Sequence, residues 1–255
     1  MLVTTEAVIL RSMKFRDSSK ILTLYTRELG KVSVLAKGAR GPKSAFGSSL
    51  EPMNYVSAIL YRKESRSLQL LSRCEIVRPL RSLSEDLARM APAMAMLEMM
   101  NAVAHDEEKN PELFDLLTGC LITVNDATKG FQNTFYYFEV RLLDLLGFRP
   151  NFAVCAGCGK DLQSSGGTRV SIHAPNGGAF CEECTGRGQG LETCSNGALS
   201  ILRRMQELRD PDGATRITMD RARESEVSAA IRHLLQTHVE GIRTLKSEGV
   251  FASIL

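Results

Sequence analysis

Two Cys-x-x-Cys knuckles, Cys155-Ala-Gly-Cys158 and Cys181-Glu-Glu-Cys184, stand 22 residues apart in a glycine-rich stretch. Each knuckle presents two sulfurs about one turn apart, and two knuckles close a tetrahedral thiolate shell around Zn²⁺. Gly157 and Gly159 suit the knuckle turns, and Phe152 and Phe180 flank them with apolar mass. Residues 152–192 hold nine glycines and no helical period. They read as a small inserted module that one zinc ion staples, since so short a segment has little core of its own. A four-thiolate shell leaves no open position for water, which makes the expected metal structural rather than catalytic.

Other readings of these cysteines are weaker. A redox Cys-x-x-Cys needs a βαβ setting that the sequence lacks. An iron–sulfur cluster also takes four thiolates but usually at other spacings. His173 lies between the knuckles, and with four cysteines in place it reads as a loop residue. Cys194 is a reserve ligand, and Cys74 and Cys120 read as core residues. The total of seven cysteines is odd, which argues against a full disulfide framework.

Charge is distributed unevenly. The chain of 255 residues has a formal net charge of only +3. Residues 1–80 hold 14 Lys/Arg against 6 Asp/Glu, a net of +8, so residues 81–255 carry −5. Such asymmetry predicts a polyanion-binding end joined to a part with another task.

That basic end reads as β structure. Val3–Ser12, Lys20–Thr26, Gly30–Ala36, Asn54–Tyr61 and Ser67–Val77 are five runs rich in β-branched residues with turn signals between them. Five short strands predict a small barrel, an OB-fold or its SH3-like rival. From residue 82 the pattern turns helical. Ser84–Ala104 is rich in Met and Ala. Asn110-Pro111-Glu112 is a helix start, with Asn as N-cap and Pro at the first position. Thr134–Leu146 stops at Gly147, Ser195 caps a helix from Ala198, and Glu224–Leu245 is a last helix or pair. The expected organisation is an α+β multidomain chain: a barrel over 1–80, a helical domain over 81–150 and 193–255, and the cysteine module over 151–192.

The barrel cations fall in three groups: Arg11, Lys14, Arg16 and Lys20; Lys37, Arg40 and Lys43; and Arg62, Lys63 and Arg66. Such residues give sequence-independent affinity for phosphates. Phe15 and Phe46 sit among them, as base-stacking candidates or as plugs for the barrel ends. Catalytic signals are thin. His105, His233 and His238 are isolated, and neither a phosphate-binding glycine loop nor a nucleophile elbow is present. No enzyme activity is expected. The rival readings are a zinc-containing protein–protein adaptor with incidental DNA contact, and a metal-dependent nuclease that lacks its carboxylate cluster. No leader or membrane segment is read, and the expected compartment is the cytoplasm, in association with the nucleoid.

Three stretches carry a resemblance: TTEAVILRSMKFRDSSKILTLYTRELGKVSVLAKGARGPKS, FYYFEVRLLDLLGFRPNFAVCAGCG and LKSEGVF. In combination they resemble RecO, the bacterial DNA repair and recombination mediator family. The resemblance implies an N-terminal OB-fold, a helical domain and a zinc-finger-like module. It implies binding of single- and double-stranded DNA and annealing of complementary strands. It also implies partnership with RecR and with the acidic tail of SSB, so that RecA loads on SSB-coated DNA. By the same resemblance Lys37, Arg40 and Lys43 contact DNA, and Lys246 contacts DNA or a partner. No membrane and no small-molecule substrate is implied.

Overall fold

In the computed structural model, described for residues 1–42, 44–163, 167–173, 175, 177–185, 191–239 and 241–242, the N-terminal runs form five strands. These are β1 (Leu2–Phe15), β2 (Ser19–Thr26), β3 (Gly30–Ala36), β4 (Tyr55–Tyr61) and β5 (Leu68–Arg78). They close into a barrel in the order β1-β2-β3-β5-β4. β1 pairs antiparallel with β4 through Leu2–Val8 and with β2 through Ala7–Phe15. An irregularity between Ile9 and Arg11 bends the strand where it passes between the two partnerships. The parallel pairing of β3 with β5 excludes a plain meander and leaves an OB-type Greek-key barrel. Ala7, Ile9, Leu22, Leu24, Val32, Val34, Val56, Ala58, Leu60 and Leu71 fill the interior. Their period of two follows from side chains alternating across the pleat.

The helical run expected over Ser84–Ala104 is two helices, α1 (Arg81–Glu85) and α2 (Leu87–Val103). Asp86 separates them because it is extended and caps α2, its carboxylate accepting from the Ala88 N–H at 2.9 Å. Buried residues surround α2 on most sides, which explains its lack of an amphipathic period. α3 (Pro111–Asp126) starts where expected, with Asn110 Oδ1 accepting from the Leu113 N–H at 3.1 Å.

Met1–Asp126 form one compact unit, and a second lies within Ala127–Thr244. Compactness thus groups α1–α3 with the barrel, whereas residue pattern alone groups every helix after residue 80. The second unit contains α4 (Asn133–Leu145), strands β6 (Asn151–Cys155), β7 (Arg169–His173), β8 (Gly178–Cys181) and β9 (Leu191–Ser195), α5 (Asn196–Glu207), a 3-10 helix (Pro211–Arg216) and α6 (Arg221–His238). Ser195 caps α5 through the Ala198 N–H, as its position predicts.

The cysteine region, expected as a small inserted module, is a four-stranded sheet, ordered β6-β8-β7-β9. The sheet runs on to Ser195, past the expected boundary at 192. His173 correspondingly lies in β7, where it pairs with Gly178 and Leu191, and is no loop residue. Among the described residues no helix is long and apolar enough to cross a membrane.

Candidate nucleic-acid interface and metal centre

The barrel loops are set by their own backbone bonds. Arg16 occupies a left-handed turn (φ 51°) between β1 and β2, and its guanidinium lies 5.2 Å from the Phe15 ring centroid. Arg40, in the long β3–β4 connection, reaches back to this turn. Its N–H donates to the Ser18 carbonyl at 2.8 Å, and its guanidinium donates to the Arg16 carbonyl at 3.0 Å. One residue thereby ties the first basic loop to the second.

Arg11, Lys14, Arg16 and Lys37 are exposed at this end of the barrel. None of them lies within ion-pair distance of a carboxylate among the described residues. Lys20, opposite Lys14 in register, is held by Glu51 at 2.7 Å. Phe46 packs against the barrel core, which favours its reading as a plug.

The third basic group does not join them. The β4–β5 hairpin reaches the start of β3, because Ser33 pairs in parallel with Leu68, whereas Lys37 follows the end of that strand. Seven residues of strand span roughly 20 Å. Arg62 is engaged by Glu107 at 3.0 Å, beside the Lys31–Asp106 pair. Lys63 is exposed. Gln69 shapes this hairpin: its side-chain oxygen accepts from the Lys63 N–H, and its amide donates to the Lys63 and Arg66 carbonyls. In the sequence its only signal is an amide within the apolar run Leu68-Gln69-Leu70-Leu71. Lys43 and Lys246 lie outside the described residues.

The four knuckle cysteines do converge. The sulfurs of Cys155, Cys158, Cys181 and Cys184 all lie within 4.8 Å of one another. β6 and β8 run parallel and deliver the first cysteine of each knuckle side by side. Cys158 Sγ stands 3.7 Å from Cys181 Sγ. Metal–sulfur bonds of ~2.3 Å in a tetrahedron give sulfur–sulfur edges of ~3.8 Å. A disulfide would need ~2.05 Å, and all four cysteines are free.

Burial pushes the Cys155 thiol up, but N–H donors from Cys181, Cys158 and Gly157 reverse this and bring it down to about 6. The Gly157 and Cys181 N–H groups approach its sulfur at 3.4 and 3.3 Å. A Cβ on Gly157 would stand 3.0 Å from Cys184 Cβ and 3.1 Å from its Sγ, so a larger residue there would press on the second knuckle. Donor type, spacing and polarised backbone all fit a thiophilic metal ion. Cys194 is buried in β9 and is outside the cluster, as are Cys74 and Cys120.

The sequence comparisons agree with this architecture. The family model "Recombination protein O N terminal" matches residues 1–80, and "Recombination protein O C terminal" matches residues 84–248. The chain belongs to the RecO family. It is 32% identical over 253 residues, 99% of this chain and 94% of the relative, to "DNA repair protein RecO" of Salinibacter ruber. It is 36% identical over 205 residues to the protein of the same description from Symbiobacterium thermophilum, covering 80% of this chain and 79% of the relative. The matched residues cover the barrel and the cysteine sheet alike. The chain is a RecO-family DNA repair protein.

Proposed function

We propose that this chain is a recombination mediator that binds single- and double-stranded DNA, anneals complementary strands and, with RecR, helps load RecA on SSB-coated single strands. The observation that carries the reading is Arg40 drawing the two basic loops together. Arg11, Lys14, Arg16 and Lys37 then present unneutralised charge at one end of the barrel. Cations so placed screen two phosphate chains that would otherwise repel each other. The mechanism is non-covalent: capture of two strands, pairing by the bases themselves, and release. In this reading Lys20, Lys43, Arg62 and Lys63 also contact DNA, the Arg62–Lys63 hairpin as a second basic site apart from the loop end, with Arg62 and Lys20 partly occupied by their carboxylate partners. The barrel over 1–80 is the DNA-binding part, and the helical part docks the acidic tail of SSB. The protein works in the cytoplasm, at the nucleoid.

The four cysteines hold one Zn²⁺, which is structural. Bound there, the ion supplies cross-linking of β6 and β8 and no reaction step. Annealing of SSB-coated complementary strands, with and without RecR, tests the mediator reading. Annealing that is stimulated by this chain and lost in Lys14→Glu/Lys37→Glu, with the melting temperature unchanged, is the expected result. A folded double variant that anneals like the parent would refute it, as would a chain that binds no oligonucleotide at low salt.

A further inference from the structure

The four knuckle sulfurs are not equally protected. Cys155, Cys181 and Cys184 are 2%, 2% and 5% exposed, whereas Cys158 is open to solvent. Cys155 and Cys181 end the paired strands β6 and β8, so sheet packing buries both. Cys184 packs against Gly157 beside the Phe180 ring. Cys158 has no such cover on its outer side. Gly159, which follows it at φ 73°, has nothing within 4 Å of where a Cβ would stand.

The backbone also treats the sulfurs differently. The Gly157 and Cys181 N–H groups both donate to Cys155 Sγ. Among the described residues no backbone N–H donates to Cys158 Sγ. An N–H bond stabilises a thiolate and lowers its nucleophilicity. Zinc ligation requires all four sulfurs as thiolates, and the thiolate is the form that oxidants attack. Cys158 therefore combines the most accessible sulfur with the least dispersed charge. Cys181 Sγ stands 3.7 Å from it. The β6–β8 pairing and the Lys160–Glu183 ion pair at 3.0 Å tie the two knuckles together, so these sulfurs remain neighbours without a metal ion between them.

We infer that Cys158 is an oxidation site, at which hydrogen peroxide converts Cys158 and Cys181 into a disulfide and dismantles the metal shell. The inference rests on the zinc reading above. In the first step Cys158 Sγ attacks one peroxide oxygen. An S–O bond forms, the O–O bond breaks, and the departing hydroxide takes a proton and leaves as water. In the second step Cys181 Sγ attacks the Cys158 sulfenic acid. An S–S bond forms, the S–O bond breaks, and a second hydroxide leaves as water. Two thiolates, one peroxide and two protons thus give one disulfide and two waters, with two electrons passing from sulfur to oxygen. Cys155 and Cys184 are left as half a tetrahedral shell, too few to retain the ion. A dithiol reductant reverses the bridge by exchange.

The test treats the purified, zinc-loaded chain with hydrogen peroxide. Zinc release is read with a chromogenic chelator, and bridged peptides are mapped by mass spectrometry. Loss of the bound zinc in step with a Cys158–Cys181 bridge, reversed by dithiol plus zinc, is the expected result. A sulfenic-acid trap should label Cys158 ahead of every other cysteine. Cys158→His keeps a four-ligand set of three thiolates and one imidazole, and it should release zinc several-fold more slowly than the parent. Peptide mapping of the parent decides the matter should that variant fail to take up zinc. A bridge or a label that bypasses Cys158 overturns the inference. So does zinc that stays bound once Cys158 is oxidised, or a zinc-loaded Cys158→His chain that loses its ion at the parent's rate. A parent chain purified without metal would defeat the zinc reading, and this inference with it.

Discussion

A Cβ placed on Gly30 would stand 2.1 Å from the carbonyl oxygen of Glu108. Gly30 opens β3 in the left-handed region, at φ 66°, and the chain before α3 passes directly over it. The same stretch is held by Lys31–Asp106, Lys109–Glu28 and Arg62–Glu107 pairs. Gly30→Ala therefore meets a left-handed penalty and a backbone clash together. A loss of about 3 kcal/mol is expected, read from urea unfolding. Gly38→Ala, also left-handed at φ 69° but with nothing within 4 Å, should cost about 1 kcal/mol. Equal losses at the two sites would contradict the close approach.

The barrel cations should separate into two classes. Lys14→Gln and Lys37→Gln remove exposed charges without a described partner, and each should lower the salt slope of DNA binding by about one. Arg62→Gln and Lys20→Gln break ion pairs to Glu107 and Glu51, and their slope changes should be smaller. Arg40→Lys is the informative case. It keeps the charge, so the slope should hold, but it loses the guanidinium bond to the Arg16 carbonyl and affinity should fall at every salt concentration. Arg40→Lys binding like the parent would remove Arg40 from its bracing role.

Barrel strands were legible because each buries one face, and a period of two survives in the residues. Helix starts at Asn110 and Ser195 were legible because capping is local chemistry. The break at Asp86 was not, since a buried Met- and Ala-rich run reads as helix throughout. The cysteine sheet was also hidden. Its strands are four or five residues long, too short to show alternation among nine glycines. The grouping of the four knuckle cysteines was nonetheless readable, because ligand spacing is a property of the chain itself. The basic groups were readable one by one, but their arrangement depends on the parallel β3–β5 register, which is non-local. That register separates the hairpin group from the other two.

Glu226 links β9 to α6 and makes the second unit sensitive to acid. Its carboxylate accepts from the Ser195 N–H at 3.1 Å and the Ser195 hydroxyl at 2.5 Å, and pairs with Arg169 at 3.2 Å. Burial pushes its pKa up, but the Ser195 and Arg169 contacts outweigh this and hold it below the ordinary value of 4.5. A group depressed by folding stabilises the fold above its unfolded pKa, and that stability is lost as pH falls through the lowered one. Glu226→Gln should cost about 1–3 kcal/mol at pH 7. The gap between parent and variant should close as pH drops below about 4.5. A gap that is constant from pH 7 to pH 3 would show that the ionised carboxylate is not what holds Ser195.

Metal content provides the sharpest test of the second unit. Four sulfurs that all lie within 4.8 Å of one another can close around one tetrahedral ion, and the chain as purified should contain one zinc. Ligation needs thiolates, so affinity should fall steeply with acid, and the Cys155 sulfur should be the last to take up a proton because three N–H donors favour its charge. Cys181→Ser breaks the shell at the residue that joins β8 to the second knuckle. Its melting temperature should drop and become insensitive to chelator, while DNA binding by the barrel persists at temperatures where the variant stays folded. Cys194→Ser is the control, since that thiol is buried outside the cluster and should leave metal content at one. A Cys181→Ser chain that is as stable as the parent and free of metal would show that the sheet folds without its staple, and the four cysteines would then need another explanation.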